Sequence, residues 1–220
     1  QMCIRDRGAA ASMSVEIINT FPEVSVPVIS PSAAFNDDVL SCSATGTDLD
    51  ESVSVSYAWD VDGQVYSGSN LDLSTLSVHP TDQITCIAQV IDSQQAVDTQ
   101  MSSVVLLNRA PNLSSHAILP NVAYAGAVLD CNASFDDPDG EALTISYEWT
   151  VGTMVLGTNA TLTLTQSDAQ SGDVIVCSAT AEDGYGESVV SEAFVTVESV
   201  PSFDVAATIT PNVAYTGSSL

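Results

Sequence analysis

Lysine is absent from this chain, and three arginines stand against 28 acidic residues, leaving a formal net charge of -25. That balance excludes nucleic acid as a partner, because binding it takes a basic patch that neutralises phosphates. An anionic membrane surface is disfavoured by the same sign. No run approaches the ~20 apolar residues of a transmembrane helix, and the start lacks the long apolar core of a signal peptide. Helical periodicity is missing as well; short β-rich runs recur instead between Gly, Asn, Asp and Pro punctuation. No Gly-x-Ser-x-Gly elbow, glycine-rich phosphate loop or Cys-x-x-Cys pair appears, and the two histidines, His79 and His116, occupy different places in different repeats. Paired carboxylates are too abundant in so acidic a chain to argue for acid-base catalysis. The expectation is a chain that is not an enzyme.

What is present is repetition. Val53-Ser-Val55-Ser-Tyr57-Ala-Trp59 returns as Leu143-Thr-Ile145-Ser-Tyr147-Glu-Trp149, each holding one of the two tryptophans and each lying between two cysteines. Ser14-Val-Glu-Ile-Ile18-Asn19 returns as Ser103-Val-Val-Leu-Leu107-Asn108, and Ile118-Leu-Pro120-Asn-Val-Ala-Tyr124 returns as Ile209-Thr-Pro211-Asn-Val-Ala-Tyr215. A length of 220 residues with such a repeat divides into two ordinary domains. The expected boundaries are 19–107 and 108–198 for two full repeats, 8–18 for the last strand of a preceding repeat, and 199–220 for the start of a third. Residues 1–7, with Cys3 and two of the arginines, match nothing that follows and read as a non-native sequencing remnant. The whole reads as a piece of a longer array, with any export signal or anchor elsewhere in it.

Side-chain parity supplies the fold class, since residues two apart in a strand share a face. Leu40, Cys42 and Ala44 share one, as do Val55, Tyr57 and Trp59, and Ile84, Cys86, Ala88 and Val90. Leu129, Cys131, Ala133; Ile145, Tyr147, Trp149; and Ile175, Cys177, Ala179, Ala181 repeat the pattern. Punctuation separates about seven short strands per copy, with an acidic loop expected from Phe135 to Glu141. Two facing sheets with inward cysteines on the second and sixth strands and a tryptophan between them are what an immunoglobulin-like β-sandwich requires.

The Cys, Trp, Cys sets, the Tyr-x-Trp pairs, Asp137-Pro-Asp139-Gly140 and Asp183-Gly184 resemble bacterial and archaeal immunoglobulin-like and PKD-like repeats of secreted and cell-surface proteins. The resemblance implies all-β tandem sandwiches, an extracellular location and neighbouring repeats of the same chain as partners. On that plan Cys42 pairs with Cys86 and Cys131 with Cys177, each loop contributing roughly 4 kcal/mol on the chain-entropy model. Such bonds persist in oxidising compartments. Four buried free thiols are the alternative.

One sharper pattern remains. An aspartate stands six residues after each cysteine, Asp48, Asp92, Asp137 and Asp183, and another eight after the first cysteine of each copy, Asp50 and Asp139. In such a sandwich the two loops concerned lie at one end, near the linker Asn108-Arg109-Ala110-Pro111. With Asp136, Glu141 or Glu182 in support they would offer calcium its six to eight hard oxygen ligands. The alternative is that Asp and Gly serve there as turn formers. Three sequons, at Asn112, Asn132 and Asn159, permit glycosylation in a secreted protein. The functional expectation is a structural or adhesive stalk with no required cofactor. A glycan- or protein-binding module and an accessory domain of a secreted hydrolase are the alternatives.

Overall fold

The computed structural model describes residues 13–16 and 18–199, almost all of them strand, turn or loop. Two compact units meet between Asn108 and Arg109. Of the stretch expected to be a preceding repeat's last strand, 13–16 and 18 carry no ladder. The rest of it, the remnant at 1–7 and the third repeat beyond Ser199 lie outside the described residues.

The first unit contains β1 (Glu23–Val24), β2 (Val28–Ser30), β3 (Val39–Ser43), β4 (Gly46–Thr47), β5 (Val55–Val61), β6 (Gln64–Ser67), β7 (Asn70–Asp72), β8 (Gln83–Ile91) and β9 (Val97–Val105). One sheet runs in the order β2-β3-β7 and the other in the order β6-β5-β8-β9, with β1 and β4 forming a separate pair. Every named pairing is antiparallel. Asp62 and Gly63, at φ 48° and 78°, make the two-residue turn between β5 and β6, a hairpin geometry that needs positive φ at both positions.

The second unit repeats the plan with β10 (Asn112–Leu119), β11 (Val128–Asp136), β12 (Thr144–Val151), β13 (Met154–Gly157), β14 (Thr161–Thr163), β15 (Val174–Glu182) and β16 (Ser188–Thr196). Its sheets are β10-β11-β14 and β13-β12-β15-β16. In both units a segment beyond the first strand crosses to the other sheet's edge, shown by parallel bridges from Ala34 to Leu106 and from Ala123 to Val197. This order is the immunoglobulin-like sandwich expected from parity. Among the described residues no helix is long and apolar enough to cross a membrane.

The core forms where the alternation points. Leu40, Trp59, Leu71, Leu73, Ile84 and Cys86 are buried in the first unit; Leu129, Trp149, Leu164, Ile175 and Cys177 take those roles in the second. Two local expectations change. Phe135 and Asp136 belong to β11, paired with Leu113 and Asn112, so the acidic loop begins at Asp137. Proline and glycine block a ladder only from Pro138 onward, leaving the two residues before Asp137 free to pair. Ile145, expected inward beside Tyr147 and Trp149, is 38% exposed. Its counterpart Val55 packs in a small cluster with the buried Val24, Ala88 and Val90, whereas Leu113, in the place of Val24, is itself 45% exposed.

Candidate functional site

Each unit is stapled through its centre. Cys42 is bonded to Cys86 and Cys131 to Cys177, so the facing sheets are covalently joined beside a fully buried tryptophan. Trp149 Nε1 donates to the Asn159 carbonyl at 2.8 Å. Tyr57 closes the first unit differently, its hydroxyl accepting from Ala44 N at 2.9 Å and donating to Ala44 O at 3.1 Å.

The repeated aspartates gather at one end of each sandwich, where they hold the incoming chain. In the first unit, Thr20 donates to Asp50 Oδ2 through its backbone N at 2.6 Å and through Oγ1 at 2.8 Å. Those two bonds hold the Asp50 carboxyl below its ordinary range. Asn19 Nδ2 donates to Asp92 Oδ2 at 2.7 Å, while Asp92 Oδ1 accepts from Gln94 N and Ala96 N at 2.9 and 2.7 Å. Asp92 is 3% exposed, and its carboxyl is lowered chiefly by the Asn19 bond, against the cost of burial. Asp48 Oδ1 caps its own loop by accepting from Asp50 N and Glu51 N at 2.7 and 3.2 Å. Glu51 reaches across to accept from Ser93 N, tying the two loops together.

The second unit keeps the backbone bond and changes the side chain. Arg109 N donates to Asp139 Oδ2 at 2.6 Å, matching Thr20 N on Asp50. Its guanidinium adds Nε to Asp139 Oδ1 at 2.9 Å, an ion pair of 2.7 Å to the same oxygen, and a bond to the Pro138 carbonyl at 3.0 Å. The Asp139 side chain is completely buried. Asp137 Oδ1 accepts from Asp139 N at 2.8 Å, and Asp183 Oδ1 accepts from Tyr185 N and Glu187 N at 2.7 and 3.0 Å. Asp136, at the end of β11, accepts from Ser114 Oγ.

Of the six aspartates singled out by spacing, Asp137 and Asp139 are brought together, and they are joined by Glu141. One carboxylate oxygen from each lies within 4.8 Å of the others. Asp48, Asp50 and Asp92 spend oxygens on loop and linker donors, and Asp183 braces its own turn. Asp137 Oδ2 and both Glu141 oxygens are shielded from solvent and face no donor. Two carboxyls so placed hydrogen-bond only if one keeps its proton. Burial, then the hydrogen bond and charge of Asp137 and the charge of Asp139, push Glu141 from its ordinary 4.5 up to about 7. A folded-state pKa raised above the unfolded value means that the native state binds the extra proton. This contribution to stability is therefore fully present below pH 4.5, declines as pH rises and is gone above about 7. Glu141→Gln should flatten that slope and raise the melting temperature of the second unit at pH 8, as read by calorimetry across pH 5–8. An unchanged slope would refute the shared proton.

Spacing concealed three participants: Asn19 and Thr20, at the start of the first repeat, and His116. The lone cation of the linker, Arg109, was the visible signal for its partner. His116 projects from β10 so that Nε2 lies 3.2 Å from Cys131 Sγ and Nδ1 lies 3.0 Å from Ser191 Oγ. Burial lowers its pKa and favours the neutral ring. His79 lines a polar cleft of about 610 Å3 together with Asp60, Asp62 and Asp82. The sequon residues Asn112, Asn132 and Asn159 are all exposed.

The sheet order, the central disulfides and the buried tryptophans define each unit as an immunoglobulin-like β-sandwich. No protein-family model matches the chain, and no curated protein matches it. Similar solved structures include the N-terminal eight Ig domains of Down Syndrome Cell Adhesion Molecule isoform 1.30.30, at TM-score 0.44 and 15% identity over 82% of this chain and 25% of that one. The fibronectin(III)-like modules of Clostridium thermocellum CbhA follow at TM-score 0.30 and 14% identity over 79% and 95%. A Ca2+-stabilized adhesin of an Antarctic bacterium gives TM-score 0.30 and 15% identity over 84% and 50%. Likeness at such identity concerns the fold alone.

Proposed function

We propose that this chain is a non-catalytic structural segment, a spacer of immunoglobulin-like repeats in an extracellular or cell-surface protein. The observation that carries the reading is the double closure of each unit. A disulfide joins the sheets at the centre, and a buried or hydrogen-bonded aspartate fastens the incoming linker at the end. Both devices resist separation of the chain from its sandwich, which is what a segment under tension needs. Disulfides of this kind belong to oxidising compartments. Asp137-Pro-Asp139-Gly140 and Trp59-Asp-Val-Asp-Gly63 support the PKD-like variety of surface repeat. Pulling the full chain between its ends should give two discrete unfolding steps. Each should release only the residues outside its disulfide loop until a reductant is added, after which both steps lengthen. Featureless extension at low force would sink the spacer reading.

The Asp137, Asp139 and Glu141 set favours a second element of this proposal, occupation by calcium. The donors are hard oxygens, and Asp137 Oδ2 and both Glu141 oxygens face no donor beyond the proton the two carboxyls share, which an ion would replace. Arg109 already covers Asp139, which leaves Asp137 and Glu141 as the principal ligands. The expected result is a second-unit melting temperature raised by calcium, but not by equal magnesium, relative to chelator. Equal effects of the two ions would refute a calcium site at this cluster.

A further inference from the structure

We propose that reduction of the Cys131–Cys177 disulfide turns the core of the second unit into a Cys2His site for a borderline-soft divalent cation such as Zn2+. The three donor atoms, His116 Nε2 and the two sulfurs, lie within 4.8 Å of one another. Nε2 is 3.2 Å from Cys131 Sγ, close to the roughly 3.5 Å that separates N and S ligands of a tetrahedral zinc. The supporting contact is in place as well. Nδ1 is 3.0 Å from Ser191 Oγ, so an Nδ1-H donated to the hydroxyl turns the Nε2 lone pair toward the sulfurs, the arrangement that orients metal-bound imidazoles. Imidazole and thiolate together suit zinc and its softer relatives rather than calcium.

The first unit shows that the fold does not demand this histidine. Ile29 pairs with Cys42 as Ile118 pairs with Cys131, and two residues before them stand Pro27 and His116 respectively. Pro27 offers no donor, yet the same sandwich forms around Cys42–Cys86.

The chemistry balances simply. A phosphine delivers two electrons and leaves as its oxide, taking the oxygen of one water whose two protons complete the two thiols. The cation then displaces both thiol protons to solvent and is held by two thiolates and a neutral imidazole. The result carries no net charge, which avoids the penalty of an uncompensated charge in the core.

The test uses the full chain with Cys3→Ser, which removes the fifth thiol, reduced by a phosphine without oxygen and titrated with Co2+ as a spectroscopic substitute for zinc. The expected result is the thiolate-to-cobalt absorption and visible bands of a tetrahedral site, saturating at one ion per chain and bleached by Zn2+. His116→Ala should weaken binding by at least about tenfold. Cys131→Ser with Cys177→Ser should abolish it, and Cys42→Ser with Cys86→Ser should leave it unchanged. If reduction alone unfolds the second unit, the cation should restore its far-ultraviolet strand signal. Absence of both the spectrum and the refolding overturns the proposal, as does a spectrum indifferent to His116→Ala or dependent on Cys42 and Cys86.

Discussion

Replacing Cys131 and Cys177 together by alanine is expected to lower the unfolding midpoint of the second unit by about 20 °C. The bond closes a loop of sequence separation 46, which on the chain-entropy model corresponds to roughly 4 kcal/mol. A domain of this size shifts by about 4–8 °C per kcal/mol, which puts a loss of about 20 °C toward the lower part of the expected range. Both sulfurs are buried beside Trp149 and Ile175, and alanine leaves a small void there in addition to the lost constraint. Cys42→Ala with Cys86→Ala should cost the first unit a similar amount, its separation being 44. Such losses approach the whole stability of an ordinary small domain, about 5–15 kcal/mol. Calorimetry of both variants beside the parent chain gives the measurement. A drop below about 5 °C would show that the unfolded chain is already compact enough for the loop to constrain little.

The sandwich was legible because its cause is local. Parity along a strand decides which side chains enter the core, and every one of the four core cysteines lies on the apolar face that parity assigned to it. Ile145 departs from the pattern because burial at the end of a strand depends on what the opposite sheet places above it, and Leu113 does not cover it as Val24 covers Val55. The aspartates were legible as positions but not as roles. Their spacing from the cysteines brings them to one end of the sandwich, yet a carboxylate there serves equally as turn former, linker clamp or metal ligand. Only the donors that arrive from the linker, Asn19, Thr20 and Arg109, distinguish these uses, and they come from distant sequence. His116 was hidden for the same reason, since its meaning lies across the sheet at Cys131 and between the sheets at Ser191.

Arg109→Ala should destabilise the second unit by about 3 kcal/mol, the lower end of the range for breaking a buried ion pair from one side. The Asp139 side chain is fully enclosed, while that of Arg109 is 27% exposed, so losing the arginine strands the more buried partner. Asp139 would keep the backbone N-H of residue 109 on Oδ2 but lose the guanidinium from Oδ1. Asp137 and Glu141 crowd the same place, and Glu141, already pushed up to about 7 by burial and these neighbours, relieves the crowding by holding its proton. The deficit should therefore shrink as pH falls toward 4 and grow above neutrality. Arg109→Lys should recover only part of it, because an ammonium cannot reproduce the fork that reaches both Asp139 and the Pro138 carbonyl. Thr20→Ala in the first unit should produce a much smaller shift, since Asp50 is exposed and keeps its backbone donor. Chemical denaturation of the three variants at pH 5 and 8 measures these differences. A change for Arg109→Ala within about 0.5 kcal/mol at both pH values would place the pair among surface bridges of little consequence. Calcium adds the deciding comparison: without the guanidinium, Asp139 Oδ1 becomes available to the ion beside Asp137 and Glu141, so calcium should raise the melting temperature of Arg109→Ala more than that of the parent chain.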